Sequence, residues 1–199
     1  AWRPFRPSSR SSWPPTTPET LFIPSVNVMM ESVLKVFGSD TVGVLMTGIG
    51  DDGADQMVAI RQAGGVALAV TVDVTAPTQV DRLIQETVAA YSGVDILFNN
   101  AAVLIFGSIV ETSLEAWKRV MQVNLDGVFF GLREAIPLLE RTHGAVVVTS
   151  SMAGLMPLPG NPVYAATKWA LIGLVRSVHA DLDARGIRIN ALCPGGVVT

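Results

Sequence analysis

Short apolar stretches alternate with longer amphipathic segments along most of the chain. Runs of β-branched and apolar residues predict strands at residues 41–47, 66–72, 95–98, 145–149 and 187–192. The segments between and before them predict helices at residues 25–37, 54–63, 79–91, 114–139 and 163–184. The continuous apolar run at residues 66–72 is typical of a strand buried on both faces. This alternation predicts an α/β fold with a doubly wound parallel sheet.

Polar or small residues follow most of these predicted strands. They occur at residues 73–74, 99–102, 150–151 and 194–195. In parallel α/β sheets, ligands bind in the crevice beyond the carboxyl ends of the strands. The sequence therefore predicts a ligand site at that edge of the sheet.

Tyr164 and Lys168 are four residues apart in the last predicted helix, so they share one helical face. A phenol is a poor proton donor at neutral pH, but a nearby ammonium group stabilises the phenolate. Such a pair can act as a general acid and base, and a serine hydroxyl beside it can polarise a carbonyl. The same spacing also fits an ordinary surface contact.

Composition narrows the function classes. The 199 residues are 49% hydrophobic and 16% charged, with a formal net charge of −3, which excludes overall disorder and gives no reason to expect a nucleic-acid partner. No apolar run approaches the roughly 18 residues of a membrane span, and no cluster has metal-ligand spacing. The single cysteine, Cys193, excludes an internal disulfide and suits the reducing cytoplasm.

Residues 1–23 differ from the rest of the chain. They are rich in Pro, Ser and Arg and have neither helical nor strand periodicity, so we expect a disordered leader. The chain begins with Ala1 rather than methionine and lacks a signal-peptide pattern, so we expect it to be a fragment.

The second half of the chain resembles the short-chain dehydrogenase/reductase family. The matching pieces are residues 73–74, NNAA at 99–102, Asn124 within VMQVNLDGVF, SSMAG at 150–154, YAATK at 164–168 and the ending IRINALCPGGVVT. The resemblance covers about residues 64–199, with Ala102 where the family usually has glycine. It implies a Rossmann-like sheet that is incomplete at its N-terminal and C-terminal ends.

The resemblance implies four catalytic residues. Tyr164 would donate or accept the proton, and Lys168 would favour its ionised form and hold the nicotinamide ribose. Ser151 would orient the substrate oxygen, with its neighbour Ser150 as the alternative. Asn124 would interrupt a helix and position water for a proton relay. The reaction implied is the interconversion of an alcohol and a carbonyl compound.

The resemblance also implies a site for NAD or NADP and a small alcohol or carbonyl substrate. The residues implied to contact the cofactor are Asp73, Val74, Asn100, Ala101, Tyr164, Lys168 and Thr199. By the same resemblance, the long helices at residues 114–139 and 163–184 are possible contacts between copies in a homo-oligomer.

The turn GIGDDG at residues 48–53 formally matches a dinucleotide-binding fingerprint. However, Asp51 and Asp52 would lie at the helix N-terminus where a pyrophosphate binds, and they would repel it. The family's own turn, TGxxxGIG, has one more residue between its first two glycines, and one strand and one helix are missing before residue 66. We therefore expect cofactor binding to be impaired.

Residues 24–65 resemble another family, the C-terminal part of chemotaxis protein-glutamate methylesterases. The resemblance is carried by PSVNVMMESVLKVFG and VGVLMTGIGDDGADQMVAIRQAGG. In that family the aspartate at the position of Asp52 orients the histidine of a Ser-His-Asp triad. Residues 1–23 supply neither a histidine nor a nucleophile elbow, and Asp52 also fits the role of an N-terminal helix cap.

The expected organisation is a leader at residues 1–23, a methylesterase-like segment at 24–65 and a dehydrogenase-like domain at 66–199. The leading interpretation is an NAD(P)-dependent oxidoreductase with impaired cofactor binding. The alternatives are a non-catalytic chimeric fragment and a protein-glutamate methylesterase.

Overall fold

The computed structural model of the protein describes residues 31, 34–36, 38, 42–43, 54–68 and 70–195. The structural statements below concern these residues alone. The expected leader, the turn at residues 48–53 with Asp51 and Asp52, and Thr199 lie outside them.

Strands and helices alternate in the described chain. In chain order, they are β1 (Val42–Gly43), α1 (Ala54–Gln62), β2 (Val66–Ala67), α2 (Pro77–Tyr91), β3 (Ile96–Asn99), α3 (Leu114–Met121), a π-helical segment (Gln122–Asp126), α4 (Gly127–Thr142), β4 (Ala145–Thr149), a 3-10 turn (Met152–Gly154), α5 (Pro162–Asp183) and β5 (Arg188–Leu192). None of these helices is both long and apolar enough to cross a membrane.

All described strand pairs are parallel, which confirms the predicted Rossmann-like α/β architecture. β1 pairs with β2 in a two-stranded sheet, and β3, β4 and β5 form a three-stranded sheet in that order. Leu97 of β3 lies opposite Val146 of β4, which lies opposite Ile189 of β5. The carboxyl ends of these three strands therefore meet at one edge.

The three-stranded sheet buries one of its faces. Leu97, Val146 and Ile189 are buried there in a core shared with α2, α4 and α5. On the other face, Ile96 is 67% exposed and Phe98 is 41% exposed. Side chains alternate between the two faces of a strand, so this contrast shows that the described helices cover the sheet on one side.

Local residue chemistry explains where the helices begin and end. Ser113 caps α3 by accepting a hydrogen bond from the amide of Ala116 at 3.1 Å. Pro77 and Pro162 occupy the first turns of α2 and α5, where a proline sacrifices no helical hydrogen bond. The observed starts of α2 and α5 lie within two residues of the predicted ones.

Two predicted elements differ from the structure. The strand predicted at residues 66–72 ends at Ala67, because its ladder with β1 covers only two described pairs. Beyond it, Thr71 is exposed and Val72 is buried, so the expectation of burial on both faces is wrong there. The helix predicted at residues 114–139 extends to Thr142 and widens into the π-helical segment at its centre.

Candidate active site

Tyr164 and Lys168 lie in the first turns of α5 and face the same side of it. The Nζ atom of Lys168 is 5.4 Å from the centroid of the Tyr164 ring. Tyr164 is half-buried, whereas Lys168 is only 2% exposed. A buried ammonium thus lies beside a phenol that retains access to solvent.

The backbone at Lys168 packs closely against the 3-10 turn. A methyl group added at Gly154 would lie 2.6 Å from the Lys168 carbonyl oxygen and 2.5 Å from Ser150 Oγ, so only glycine fits there. Burial lowers the pKa of Lys168 to about 8, and the opposing influence of the nearby Cys193 is smaller. The charge of Lys168 is therefore sensitive to pH slightly above neutrality.

Thr149, the last residue of β4, connects two of the predicted site residues. Its carbonyl oxygen accepts a hydrogen bond from Lys168 Nζ at 2.8 Å. Its hydroxyl donates to the side-chain oxygen of Asn100 at 2.8 Å. Lys168 and Asn100 are thereby held at the same strand end.

The two adjacent serines differ in their hydrogen bonds. The hydroxyl of Ser150 is buried and donates to the carbonyl of Lys168 at 2.9 Å. Ser151 is half-buried, and its Oγ accepts from the amide of Ala153 at 3.1 Å. Ser151 donates no hydrogen bond to another described residue, so its proton is available to a ligand whereas that of Ser150 is committed.

Asn124 lies at the centre of the π-helical segment, which confirms the expected interruption of the helix. It is fully buried, and its Oδ1 accepts from the amide of Val103 at 2.8 Å. Its Nδ2 donates to the carbonyl of Val103 at 3.0 Å and to Thr167 Oγ1 at 3.2 Å. Because both amide protons are used, a water molecule could be held only by the backbone of Asn124 or by the second lone pair of its Oδ1.

Thr167 is a residue of this network that the sequence analysis did not select. It is fully buried, and its hydroxyl donates to the carbonyl of Tyr164 at 2.7 Å while it accepts from Asn124. The available signal was its spacing, because a hydroxyl three residues after Tyr164 lies on the same helical face. Thr167 thus links the π-helical segment to the helix that carries Tyr164 and Lys168.

A narrow cleft of about 30 Å³ lies at the carboxyl end of β3. Of the residues predicted to contact a cofactor, Val74, Asn100 and Ala101 line it. Tyr164, Lys168 and Asp73 do not line this cleft.

The wall of the cleft is mainly aliphatic, with Asn99 and Asn100 as its polar side chains. A methyl group added at Gly131 would lie 2.6 Å from Asn99 Oδ1, and one at Gly127 would lie 3.1 Å from Val74 Cγ2. Asn99 is buried, and its Nδ2 has no hydrogen-bond partner among the described residues. Since buried polar groups are normally paired, this amide is a donor that a ligand could satisfy.

Asp73 lies at the solvent-exposed margin of this region. Its Oδ1 accepts from the amide of Thr75 at 3.0 Å and from the Thr75 hydroxyl at 2.8 Å, and Arg119 lies 3.9 Å away. The two bonds from Thr75 lower the pKa of the Asp73 carboxyl, with a smaller contribution from Arg119. The carboxylate remains ionised, although the same contacts also describe an ordinary turn.

Among the described residues, no cluster of three or more His, Cys, Asp or Glu side chains could hold a metal ion.

Known proteins are similar to this chain in sequence and in fold. The profile of the family described as short chain dehydrogenase matches residues 31–199. Meso-2,3-butanediol dehydrogenase from Serratia marcescens is 35% identical over 173 residues, which are 87% of this chain and 68% of that protein.

Two solved structures are also similar. A short-chain dehydrogenase/reductase from Burkholderia phymatum in complex with NAD matches with a TM-score of 0.69 and 32% identity, over 72% of this chain and 53% of that one. A variant of ElxO with NADPH bound matches with a TM-score of 0.65 and 28% identity, over 71% of this chain and 56% of that one. The chain therefore spans between about half and two thirds of the length of these relatives.

The family match begins inside the segment that resembles a methylesterase. Residues 31–65 belong both to that segment and to the dehydrogenase match. The resemblance to methylesterases finds no support among these similar proteins.

Proposed function

The chain belongs to the short-chain dehydrogenase/reductase family, and on that premise we propose that it is an oxidoreductase that interconverts an alcohol and a carbonyl compound with NAD(H) or NADP(H). The observation that carries the proposal is the buried ammonium of Lys168, 5.4 Å from the ring of Tyr164, at the carboxyl edge of a parallel sheet. A bound nicotinamide would supply or accept the hydride.

The proposed proton chemistry belongs to Tyr164. Its half-buried phenol would protonate the carbonyl oxygen during reduction or accept the alcohol proton during oxidation. The adjacent Lys168 is proposed to hold the nicotinamide ribose, and it places a buried positive charge 5.4 Å from the ring centroid of Tyr164.

Ser151 is proposed to orient the substrate oxygen. Its hydroxyl proton is uncommitted among the described residues, so it can donate to the oxygen on which negative charge develops. For Asn124, both amide protons are committed, so its side chain could join a proton relay only as an acceptor at Oδ1. The amide side chain instead fixes Val103 and Thr167 around the site.

The proposed cofactor site is the cleft lined by Val74, Asn100 and Ala101. The Nδ2 of Asn99, which has no partner among the described residues, supports a bound polar group there. Asp73, Lys168 and Thr199 remain proposed contacts from the family resemblance. Whether the cofactor is NAD or NADP is left open.

We further propose that cofactor binding is weak, because the turn at residues 48–53 carries Asp51 and Asp52. Titration of NADH fluorescence should give a dissociation constant in the millimolar range. Exchanging both residues for asparagine removes two negative charges and should tighten binding several-fold. Micromolar binding by the unmodified chain would contradict this proposal.

The alternative functions rest on the same N-terminal segment. A non-catalytic chimera is favoured if the acidic turn abolishes cofactor binding altogether. A methylesterase would need a histidine partner for Asp52, and the two histidines of the chain, His143 and His179, both lie in the dehydrogenase-like part. Hydrolysis of a glutamyl methyl ester that is lost in Asp52→Ala would revive this alternative. The domain boundaries and a homo-oligomer through the helices at residues 114–139 and 163–184 likewise remain proposals.

The decisive test is Tyr164→Phe, which removes only the phenolic oxygen. We expect ketone-dependent oxidation of NADH or NADPH to fall by at least about 100-fold, since general acid–base catalysis contributes 10²–10⁴-fold. Tyr91→Phe is the matched control, because Tyr91 is the only other tyrosine and ends α2. Equal activity of the two variants would refute the assignment of Tyr164.

A further inference from the structure

Two loops meet beside the proposed Tyr164 site. The first covers residues 100–113, between β3 and α3, and the second covers residues 155–161, between the 3-10 turn and α5. The amide of Gly107 in the first loop donates to the carbonyl of Gly160 in the second at 3.1 Å. The first loop is also fixed at Val103 by Asn124. Both loops are therefore anchored to the elements that carry the proposed catalytic residues.

These loops and the adjoining 3-10 turn expose large apolar side chains. Such exposure in one region marks a binding surface more often than isolated apolar residues do. The exposed fractions are 43% for Leu104, 77% for Phe106, 63% for Ile109, 43% for Met152, 51% for Leu155, 50% for Met156 and 39% for Leu158.

Charged side chains are scarce in the same region, where Glu111 is the only charged residue of the two loops. Residues 96–110 and 142–167 contain no Asp, Glu, Lys or Arg. With 16% charged residues overall, the longer of these two stretches would be expected to hold about four. The first charged residue after it is Lys168, whose side chain is buried and bonded to Thr149. A charged group on a ligand would therefore find no counter-ion within these stretches.

We propose that the site takes a neutral, largely apolar alcohol or carbonyl compound, whose carbon skeleton lies against Met152, Leu155, Met156 and Leu158. This inference rests on the proposed function, because it places the reacting oxygen at Tyr164 and Ser151. Burial of apolar ligand surface against these side chains favours binding, whereas a carboxylate would lose its hydration without gaining a partner. The unbranched methionines allow the surface to adapt to the shape of the skeleton.

A solvatochromic ketone tests the proposal without requiring turnover. The probe is 6-propionyl-2-(dimethylamino)naphthalene, compared with an analogue that carries a carboxymethyl group on the same amine nitrogen. We expect the neutral probe to bind at least about 10-fold more tightly and to shift its emission to the blue. Similar affinities for the two probes would overturn the proposal.

Variants locate the binding. Leu155→Arg adds a positive charge to the loop. It should weaken binding of the neutral probe and strengthen binding of the carboxylate probe, so the ratio of the two affinities should fall close to one. Val58→Arg is the matched control on α1, where Val58 is 56% exposed, and it should leave the ratio unchanged. Equal effects of the two variants would show that the probe binds nonspecifically. A probe affinity that falls as protein concentration rises would show that a second copy covers the surface. Either result would overturn the proposal.

These experiments distinguish failure of the oxidoreductase proposal from failure of the proposed ligand preference. Tyr164→Phe should lower turnover by at least about 100-fold and leave the ratio of the two probe affinities unchanged, because both probes carry the same ketone. If the wild-type chain shows the expected probe ratio and its loss in Leu155→Arg but no turnover, the oxidoreductase proposal fails while the preference for a neutral ligand holds.

Discussion

The buried ammonium of Lys168 should weaken the folded state at neutral pH. The side chain is 2% exposed, has one hydrogen bond to the Thr149 carbonyl, and forms no ion pair with a described carboxylate. Lys168→Met replaces it with an uncharged side chain of similar length. The variant therefore removes the unfavourable desolvation of the charge together with its favourable hydrogen bond.

The direction of the pH dependence follows from the two pKa values. Folding lowers the pKa of Lys168 from 10.5 to about 8, so between these pH values the unfolded chain holds more protons and stability rises with pH. The full difference corresponds to about 3 kcal/mol, at about 1.4 kcal/mol per pKa unit. The unfavourable contribution is complete below pH 8 and disappears as the pH approaches 10.5.

Urea unfolding followed by circular dichroism at pH 7 and pH 10 measures this contribution. From pH 7 to pH 10, the free energy of unfolding of the wild-type chain should rise by about 2–3 kcal/mol relative to that of Lys168→Met. Groups common to both proteins cancel in that difference. Lys118→Met removes a charge from an exposed position on α3 and controls for net charge. If the difference between wild type and Lys168→Met is the same at both pH values, the ammonium is hydrated in solution and the reasoning is wrong.

Two further predictions concern the frame around the site. Thr167→Val leaves one of the two Asn124 Nδ2 protons without an acceptor and should lower the free energy of unfolding by about 1–2 kcal/mol. Thr167→Ser keeps the hydroxyl and should retain most of that stability in the same urea assay. Gly154→Ala should destabilise by about 2 kcal/mol or more, because its methyl group would contact backbone and Ser150. Gly173→Ala, on the exposed side of α5 with open space around it, should instead stabilise by about 0.5–1 kcal/mol. Equal melting temperatures for the two alanine variants would contradict this packing.

The sequence predicted much of the fold because its signals are local. β4 is observed at the predicted residues, and α5 begins and ends within one residue of the prediction. The pattern failed at residues 66–72, where apolar character alone indicated a long strand. A strand also requires a neighbour at each position, and the described ladder with β1 ends after two pairs.

The candidate site was predictable in part. The i, i+4 spacing placed Tyr164 and Lys168 on one helical face, since that depends only on helix geometry. The spacing could not distinguish Ser150 from Ser151, because the two neighbouring serines differ only in the hydrogen-bond partners that the folded chain places beside each hydroxyl. The role of Thr167 could not be predicted for the same reason, because its partner Asn124 lies 43 positions away along the chain.

The sequence by itself determined the alternation of strands and helices and the residue types at the strand ends, because periodicity and capping act over a few residues. Only the tertiary structure decided the burial of Lys168, the pairing of both Asn124 amide protons and the joining of the two apolar loops at Gly107 and Gly160. Each of these depends on contacts between segments far apart in the chain. Burial and hydrogen bonding across such distances set the charge state and access of the reacting groups, so the chemistry of the site follows from packing rather than from local pattern.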